Sequence, residues 1–306
     1  MKVLVLGSLN MDLVMEVSKM PSIGETVLGD NVSYFFGGKG ANQAVACRRL
    51  GVPVTLVGKV GNDTFGDKLM IHMNMAAIDM SQVKLEAGAF TGTAAIMKLP
   101  EDNAIVVLPG ANQLVTPDDL KEDVLEQAQV LLAQLEIPPA TVMDAFKRAK
   151  EKGLITILNP APYHEAVEEM LPVVDYITPN EREFRRMVQN SSETESFDVE
   201  AAMLSWSKKQ ETQLIVTRGS KGVSYVLEGK VKTVAAPRMA VTDTTGAGDT
   251  FNGILAATLA KKEPLETAVL KASFGASLSV TKMGAQSGMP SEKQLAEFMA
   301  KQANNS

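Results

Sequence analysis

The stretch Asp243-Thr244-Thr245-Gly246-Ala247-Gly248-Asp249-Thr250-Phe251-Asn252-Gly253 joins a glycine-rich loop to a run that reads as a helix. Phe251, Ile254, Leu255 and Leu259 recur at i, i+3, i+4 and i+8, the spacing of a buried helical face. The first N–H groups of a helix have no intrahelical acceptor, and its dipole places partial positive charge there, so such a loop suits an anion. Asp249 falls in that first turn, where two readings compete. Asp is favoured at helix starts for capping alone. Yet Gly246 and Gly248 both cost backbone entropy and capping requires only one of them, which fits a phosphate site beside a base.

Upstream, Gly37-Gly38-Lys39-Gly40-Ala41-Asn42-Gln43-Ala44 is a second glycine-rich loop entering a helix, with Arg48 and Arg49 in its last turn and a stop at Gly51. Short apolar runs at 3–6, 54–60, 130–135, 154–158, 176–177 and 214–217 read as buried strands. Helical patterns at 64–78, from about 117, at 139–152, 182–188 and 199–210 alternate with them, which implies βαβ crossovers and a parallel sheet with helices on both faces. Residues 223–227 and 231–235 read as an edge hairpin, and the last 50 residues as mostly helical. Segments 12–18, 26–36, 93–99 and 104–108 lack helical periodicity and read as strands of a separate small sheet. A polar turn at Glu101-Asp102-Asn103 and a Ser/Glu-rich loop before residue 199 punctuate the chain.

At 306 residues, 45% of them hydrophobic, the chain is expected to form one large α/β domain spanning 1–306. Thirty basic against 36 acidic residues, a net charge of −6, and no basic stripe interleaved with aromatics argue against a nucleic-acid partner. Cys47 is the single cysteine, which leaves no disulfide framework or thiolate metal cluster and fits a reducing cytoplasm. No apolar run approaches the roughly 18 residues of a membrane span. The apolar run 3–6 is also too short for a signal peptide, so no membrane association is expected. The P-loop pattern is absent, and G-x-G-x-x-G fails at Gly246 because its sixth position is Phe251. In open α/β sheets ligands lie beyond the carboxyl ends of the strands, where Asn10, Asp12, Glu136, Asn159, Asn180, Glu183, Thr217 and Gly219 all fall.

Gly7-Ser8-Leu9-Asn10-Met11-Asp12, followed in order by the runs 36–43, 159–162, 178–181, 243–253 and 281–286, resembles the ribokinase-type (PfkB) family of carbohydrate kinases over essentially the whole chain. The resemblance implies a three-layer α/β domain with a mainly parallel central sheet and a β-sheet lid made from about 12–36 and 92–109. It implies transfer of the γ-phosphoryl group of ATP to a sugar or nucleoside hydroxyl. Asp249 is then the base, and the amides of Gly246, Ala247 and Gly248 receive the charge of the phosphoryl oxygens. Such donors are worth about 3 to 4 kcal/mol each.

By the same resemblance Asn10, Asp12, Gly38, Lys39, Asn42 and Glu136 line a sugar pocket with Asp249, although singly Asn10 and Asp12 also read as turn formers, Lys39 as a solvated charge, Asn42 as a cap and Glu136 as an exposed strand end. Asn180 and Glu183, which also read as an ordinary helix start, match a motif linked to Mg²⁺ and phosphate. Thr217, Gly219, Gly222, Gly248 and Ser273 match nucleotide positions. Asp243, Thr245, Ser279, Lys282, Gly284 and Gly288 match a K⁺ site built largely from backbone carbonyls, Gly288 departing from a serine often found there. The substrate expected is D-ribose at its 5-hydroxyl, with deoxyribose, fructose or a nucleoside as the alternative, and a non-catalytic sugar-binding protein as the alternative from another class. Homodimerisation through the lid is expected.

Overall fold

The structure, a computed structural model, describes residues 1–99, 103–189 and 197–304. The Glu101-Asp102 part of the expected turn, most of the expected Ser/Glu-rich loop and the last two tail residues lie outside the described residues.

Strand β1 (Val3–Leu6) leads into β2 (Asn10–Val17) and β3 (Gly29–Gly37), and helix α1 (Lys39–Arg49) carries the chain to β4 (Val54–Gly61). Helix α2 (Thr64–Met75) is followed by β5 (Asp79–Glu86), β6 (Gly92–Lys98) and β7 (Asn103–Leu108). The short helix α3 (Glu122–Glu126) opens the alternating part: β8 (Val130–Ala133), α4 (Pro139–Glu151), β9 (Ile155–Leu158), α5 (Val167–Met170) and β10 (Tyr176–Ile177). It continues through α6 (Glu181–Gln189), α7 (Val199–Ser207) and β11 (Gln213–Thr217) to the hairpin β12 (Val223–Leu227) and β13 (Lys230–Val234). Helices α8 (Ala247–Ala260), α9 (Leu265–Ser279) and α10 (Glu292–Ala303) end the chain.

A nine-stranded sheet runs in the order β13-β12-β11-β10-β9-β8-β1-β4-β5, parallel except for the hairpin, and a four-stranded sheet runs β3-β2-β6-β7. Alternation along each central strand divides the core between the faces of the large sheet. Val3, Val5, Val130 and Leu132 pack with α1, α8 and α9 on one side. Leu4, Leu6, Leu131 and Ala133 pack with α4 and α7 on the other. The result is a three-layer α/β architecture with a smaller sheet at its side.

Three elements differ from the sequence reading. The helix expected over 64–78 stops at Met75, and the following residues form β5. Only Met80 and Val83 of that edge strand are buried, so its sequence carries little apolar alternation. Pro117–Asp119 is a 3₁₀ turn and the α-helix begins at Glu122. The four-residue α5 is too short to leave a periodic signature.

Helices α1 and α8 cross in unusually close contact. A Cβ at Gly253 of α8 would lie 2.5 Å from Ala46 Cβ and 2.6 Å from the Gln43 carbonyl oxygen of α1. The Cys47 thiol donates to the Gly253 carbonyl at 2.9 Å across the same contact. Only the hydrogen side chain permits this approach. Gly253→Val is therefore expected to destabilise the fold by about 1 to 3 kcal/mol through overpacking, read as a lower midpoint in urea unfolding. An unchanged midpoint would show that the two helices part without cost.

Candidate active site

In the large sheet β1 has β8 on one side and β4 on the other, both parallel to it, so the strand order reverses there and a crevice opens beyond the carboxyl ends. Ser8, just past β1, donates its hydroxyl to Glu136 Oε2 at 2.5 Å, and the Lys39 amide donates to the same oxygen at 3.1 Å. Asn10 and Asp12 are strand residues of β2 rather than turn formers. Asn10 is buried and its Oδ1 accepts from Asn112 Nδ2 at 2.7 Å. The Asp12 carboxylate lies over Gly37 so closely that a Cβ there would come within 2.3 Å of Oδ2.

Asp249 does not cap α8. Its helix starts at Gly246, which adopts a left-handed conformation with φ 76° and has no side-chain cap. The Asp249 side chain, only 7% exposed, turns inward and accepts from Asn42 Nδ2 at 2.9 Å and Gln43 Nε2 at 3.0 Å. The capping reading of Asp249 is thus excluded, as it is for Asn42, because α1 starts at Gly38 without a side-chain cap. A Cβ added at Gly248 would meet nothing within 4 Å, so this turn of backbone faces open space.

These residues share one electrostatic cluster. Burial pushes Asp12 up to about 7, reinforced by the charges of Glu136 and Asp249 and opposed by Lys39. Burial also raises Asp249, against the attraction of Lys39 and the donors Asn42 and Gln43. Burial would depress Lys39, but Asp249, Glu136, Glu183 and Asp12 together hold its ammonium above the ordinary value.

On the other side of the α8 N-terminus lies a cavity of about 570 Å³. Thr217, Gly219, Gly222, Gly248 and Ser273 all line it. Its apolar wall, with Val223, Met239, Val241, Ala276 and Val280, was not anticipated, since isolated apolar residues far apart in the chain carry no pattern. Asn180 and Glu183 are not part of this lining. They cap α6 reciprocally: the Asn180 amide donates to Glu183 Oε2 and the Glu183 amide to Asn180 Oδ1, each at 2.9 Å. The ordinary helix-start reading describes their observed bonds, while the Glu183 carboxyl, raised by burial, also feels Lys39.

Of the expected cation residues, Asp243, Thr245 and Gly284 are joined by hydrogen bonds, and Gly288 lies against Ser279. Asp243 accepts from the Thr245 amide at 2.9 Å and the Gly284 amide at 2.8 Å, and the amides of Thr242 and Asp243 donate to the Val280 carbonyl. Burial would raise the Asp243 carboxyl, but the Thr245 and Gly284 donors hold it below its ordinary range. Gly288 has a structural reason to lack a side chain, because a Cβ there would stand 1.9 Å from the Ser279 carbonyl oxygen. Lys282 is exposed in the turn between them. Among the described residues, no three His, Cys, Asp or Glu side chains group to hold a metal ion. Gln43, Gln286 and Ser8 were missed from the sequence, and Gln43 alone had a signal, being a second amide beside Asn42 at a helix start.

A carboxyl raised from 3.8 to about 7 holds its proton more tightly in the folded chain than in the unfolded one. The protein therefore loses stability as pH climbs through that interval. Asp12→Asn cannot ionise and is expected to raise Tm by several degrees near pH 8 and by less near pH 5, measured without sugar. An equal effect at both pH values would remove Asp12 ionisation as the cause.

Residues 1–292 match the profile of the pfkB family carbohydrate kinases. The chain is 38% identical over 303 residues to a ribokinase of Lactococcus lactis, covering 98% of this chain and 96% of that one. The solved ribokinase of Thermotoga maritima superposes with a TM-score of 0.89 at 33% identity, covering 97% of this chain and 99% of that one. The structure of Arabidopsis thaliana ribokinase complexed with ribose and ATP superposes with a TM-score of 0.86 at 30% identity, covering 97% and 98% of the two chains. A glycine-rich helix start between a polar crevice and an apolar cavity thus sits in a ribokinase fold, and the chain belongs to the pfkB family of carbohydrate kinases.

Proposed function

We propose that the protein is an ATP-dependent sugar kinase that transfers the γ-phosphoryl group to the 5-hydroxyl of D-ribose. The observation that carries this reading is the double contact of one helix start. The Asp249 carboxylate accepts from Asn42 in the polar crevice, while Gly248, its chain neighbour, lines the 570 Å³ cavity. Sugar enters from one side and nucleotide from the other.

Asn10, Asp12, Gly38, Lys39, Asn42 and Glu136 hold the sugar. Because Asn10 Oδ1 is engaged by Asn112, its NH₂ group is left to donate to a sugar oxygen, in this reading the 2-hydroxyl. Asp249 accepts the proton of the 5-hydroxyl as that oxygen attacks phosphorus, and its burial increases its affinity for the proton it must take. In this reading the amides of Gly246, Ala247 and Gly248 at the start of α8 receive the charge on the equatorial phosphoryl oxygens, the Ala247 N–H having first to leave or share the Thr244 carbonyl to which it donates at 3.2 Å. Thr217, Gly219, Gly222 and Ser273 border the rest of the nucleotide.

Two ions fit this arrangement. Glu183, with Asn180 beside it, would hold Mg²⁺ near the ATP phosphates, whose charge the ion would neutralise. Asp243, Thr245, Ser279, Lys282, Gly284 and Gly288 would in this reading hold K⁺, largely through backbone carbonyls, and steady the loop before Gly246.

In this reading the four-stranded sheet, from about 12–36 and 92–109, is a lid on the single α/β domain and excludes water once sugar is bound. Ile105, Val106, Val107 and Leu108 of its β7 are exposed, as are Val32 and Tyr34 of β3, which supports a homodimer formed by this sheet. In this reading the enzyme works in the cytoplasm, where ATP is at hand and the thiol of Cys47 stays reduced.

In a coupled ADP-release assay with and without K⁺, ribose is expected to give a higher kcat/KM than 2-deoxyribose, fructose or adenosine. Losing the 2-hydroxyl removes a partner for buried Asn10, a cost of about 1 to 3 kcal/mol. In the same assay Asp249→Asn is expected to bind ribose yet turn over about 10²-fold more slowly or worse. Equal or reversed acceptor preference sinks the ribose assignment, and unchanged turnover removes Asp249 as base. Sedimentation with and without ribose should show a dimer, and a monomer throughout would reject the shared sheet.

A further inference from the structure

The polar contacts of Asp249 continue beyond the residues assigned above. An ionised carboxylate only accepts, so Asn42 must turn its NH₂ group to Asp249 Oδ2, at 2.9 Å. Its Oδ1 then faces Gln286, whose Nε2 donates to it at 3.0 Å. The remaining Oε1 of Gln286 faces His72 Nε2 at 2.8 Å, and that nitrogen must carry a proton. The direction of every bond in the series follows from the charge at its end. Asn42 and Gln286 are 5% and 8% exposed, which limits replacement of either bond by water. The imidazole that starts the series is clamped in turn, stacked on Phe36 of β3 with ring centroids 3.9 Å apart and planes 10° from parallel.

We propose that Gln286 and His72 are positioning residues for the base: they fix the orientation of the Asn42 amide, and through it the Asp249 carboxylate, relative to strand β3. This inference rests on Asp249 being the base. If the Nε2–H donor is lost, the Gln286 amide can rotate and release Asn42, whose oxygen would then be free to face the carboxylate and repel it. Two neutral amides and a ring lie between the smaller sheet and the reacting hydroxyl, so the base is aligned when Phe36 is seated.

A pair of substitutions separates this role from packing. His72→Phe keeps an aromatic ring beside Phe36 and removes the N–H, whereas His72→Gln removes the ring and keeps a donor of similar reach. His72→Phe is expected to lower kcat about tenfold without changing the KM for ATP, and His72→Gln to stay within about twofold of the unsubstituted protein. Gln286→Met, which ends the series one step nearer the base, is expected to lose about tenfold in kcat as well. Cooperative thermal unfolding of each variant identifies any that fails to fold, and either of His72→Phe and Gln286→Met suffices for the test. A His72→Gln variant no more active than His72→Phe assigns the residue to packing and overturns the proposal. So does a kcat unchanged in both His72→Phe and Gln286→Met while the unsubstituted protein phosphorylates its acceptor. An unsubstituted protein that phosphorylates none of the acceptors, or an Asp249→Asn variant with full turnover, overturns the base assignment itself, and the relay with it.

Discussion

The contact on which the site depends is the close crossing of α1 and α8 at Gly253. With a hydrogen as its only side chain, Gly253 lets Ala46 Cβ and the Gln43 carbonyl approach to distances no Cβ would permit. One turn earlier on α8 stands Asp249, and one turn earlier on α1 stand Asn42 and Gln43. The crossing therefore delivers two amide donors to one buried carboxylate. Both helices begin at glycine-rich loops, so the same contact also sets the two loops side by side. Backbone packing, rather than any single charged pair, fixes the relation between crevice and cavity.

Around that contact the chain tolerates a concentration of charge that ordinary folding would avoid. The charges of Asp12, Glu136, Asp249 and Glu183 all act on the ammonium of half-buried Lys39. Desolvation raises Asp12 and Asp249, which means that each ionised carboxylate costs stability in the folded chain. Lys39 offsets part of that cost and the amides another part, yet the arrangement remains under strain. Carboxyls perturbed by burial and by one another in a crevice mark a candidate reactive site, since a structural role alone does not call for such a concentration of charge.

Much of the architecture was legible because central strands buried on both faces are short and uniformly apolar, and the helices between them keep their periodicity. β5 was not, since an edge strand with two buried residues alternates too weakly to be seen. Within the site, Asp249 was singled out by the glycines around it, whereas Gln43 and Gln286 passed as ordinary polar residues. Their part comes from direction: an amide becomes a committed donor only when its oxygen is already engaged. Asn180 and Glu183 show the converse, a motif whose visible bonds are those of a helix cap.

Sequence by itself determined the fold class, the two anion-suited helix starts and the candidate base, because periodicity, glycine placement and helix dipoles act over a few neighbouring residues. Only the tertiary structure decided that Asp249 faces inward to Asn42 and Gln43 instead of capping its own helix. It also decided that the cavity beside the start of α8 has an apolar wall, and that Gly288 lacks a side chain because the Ser279 carbonyl occupies its space. Each of these depends on which surfaces meet once the chain has folded. Asp249 and Asn42 are 207 residues apart, and local patterning carries no record of a contact made over such a distance.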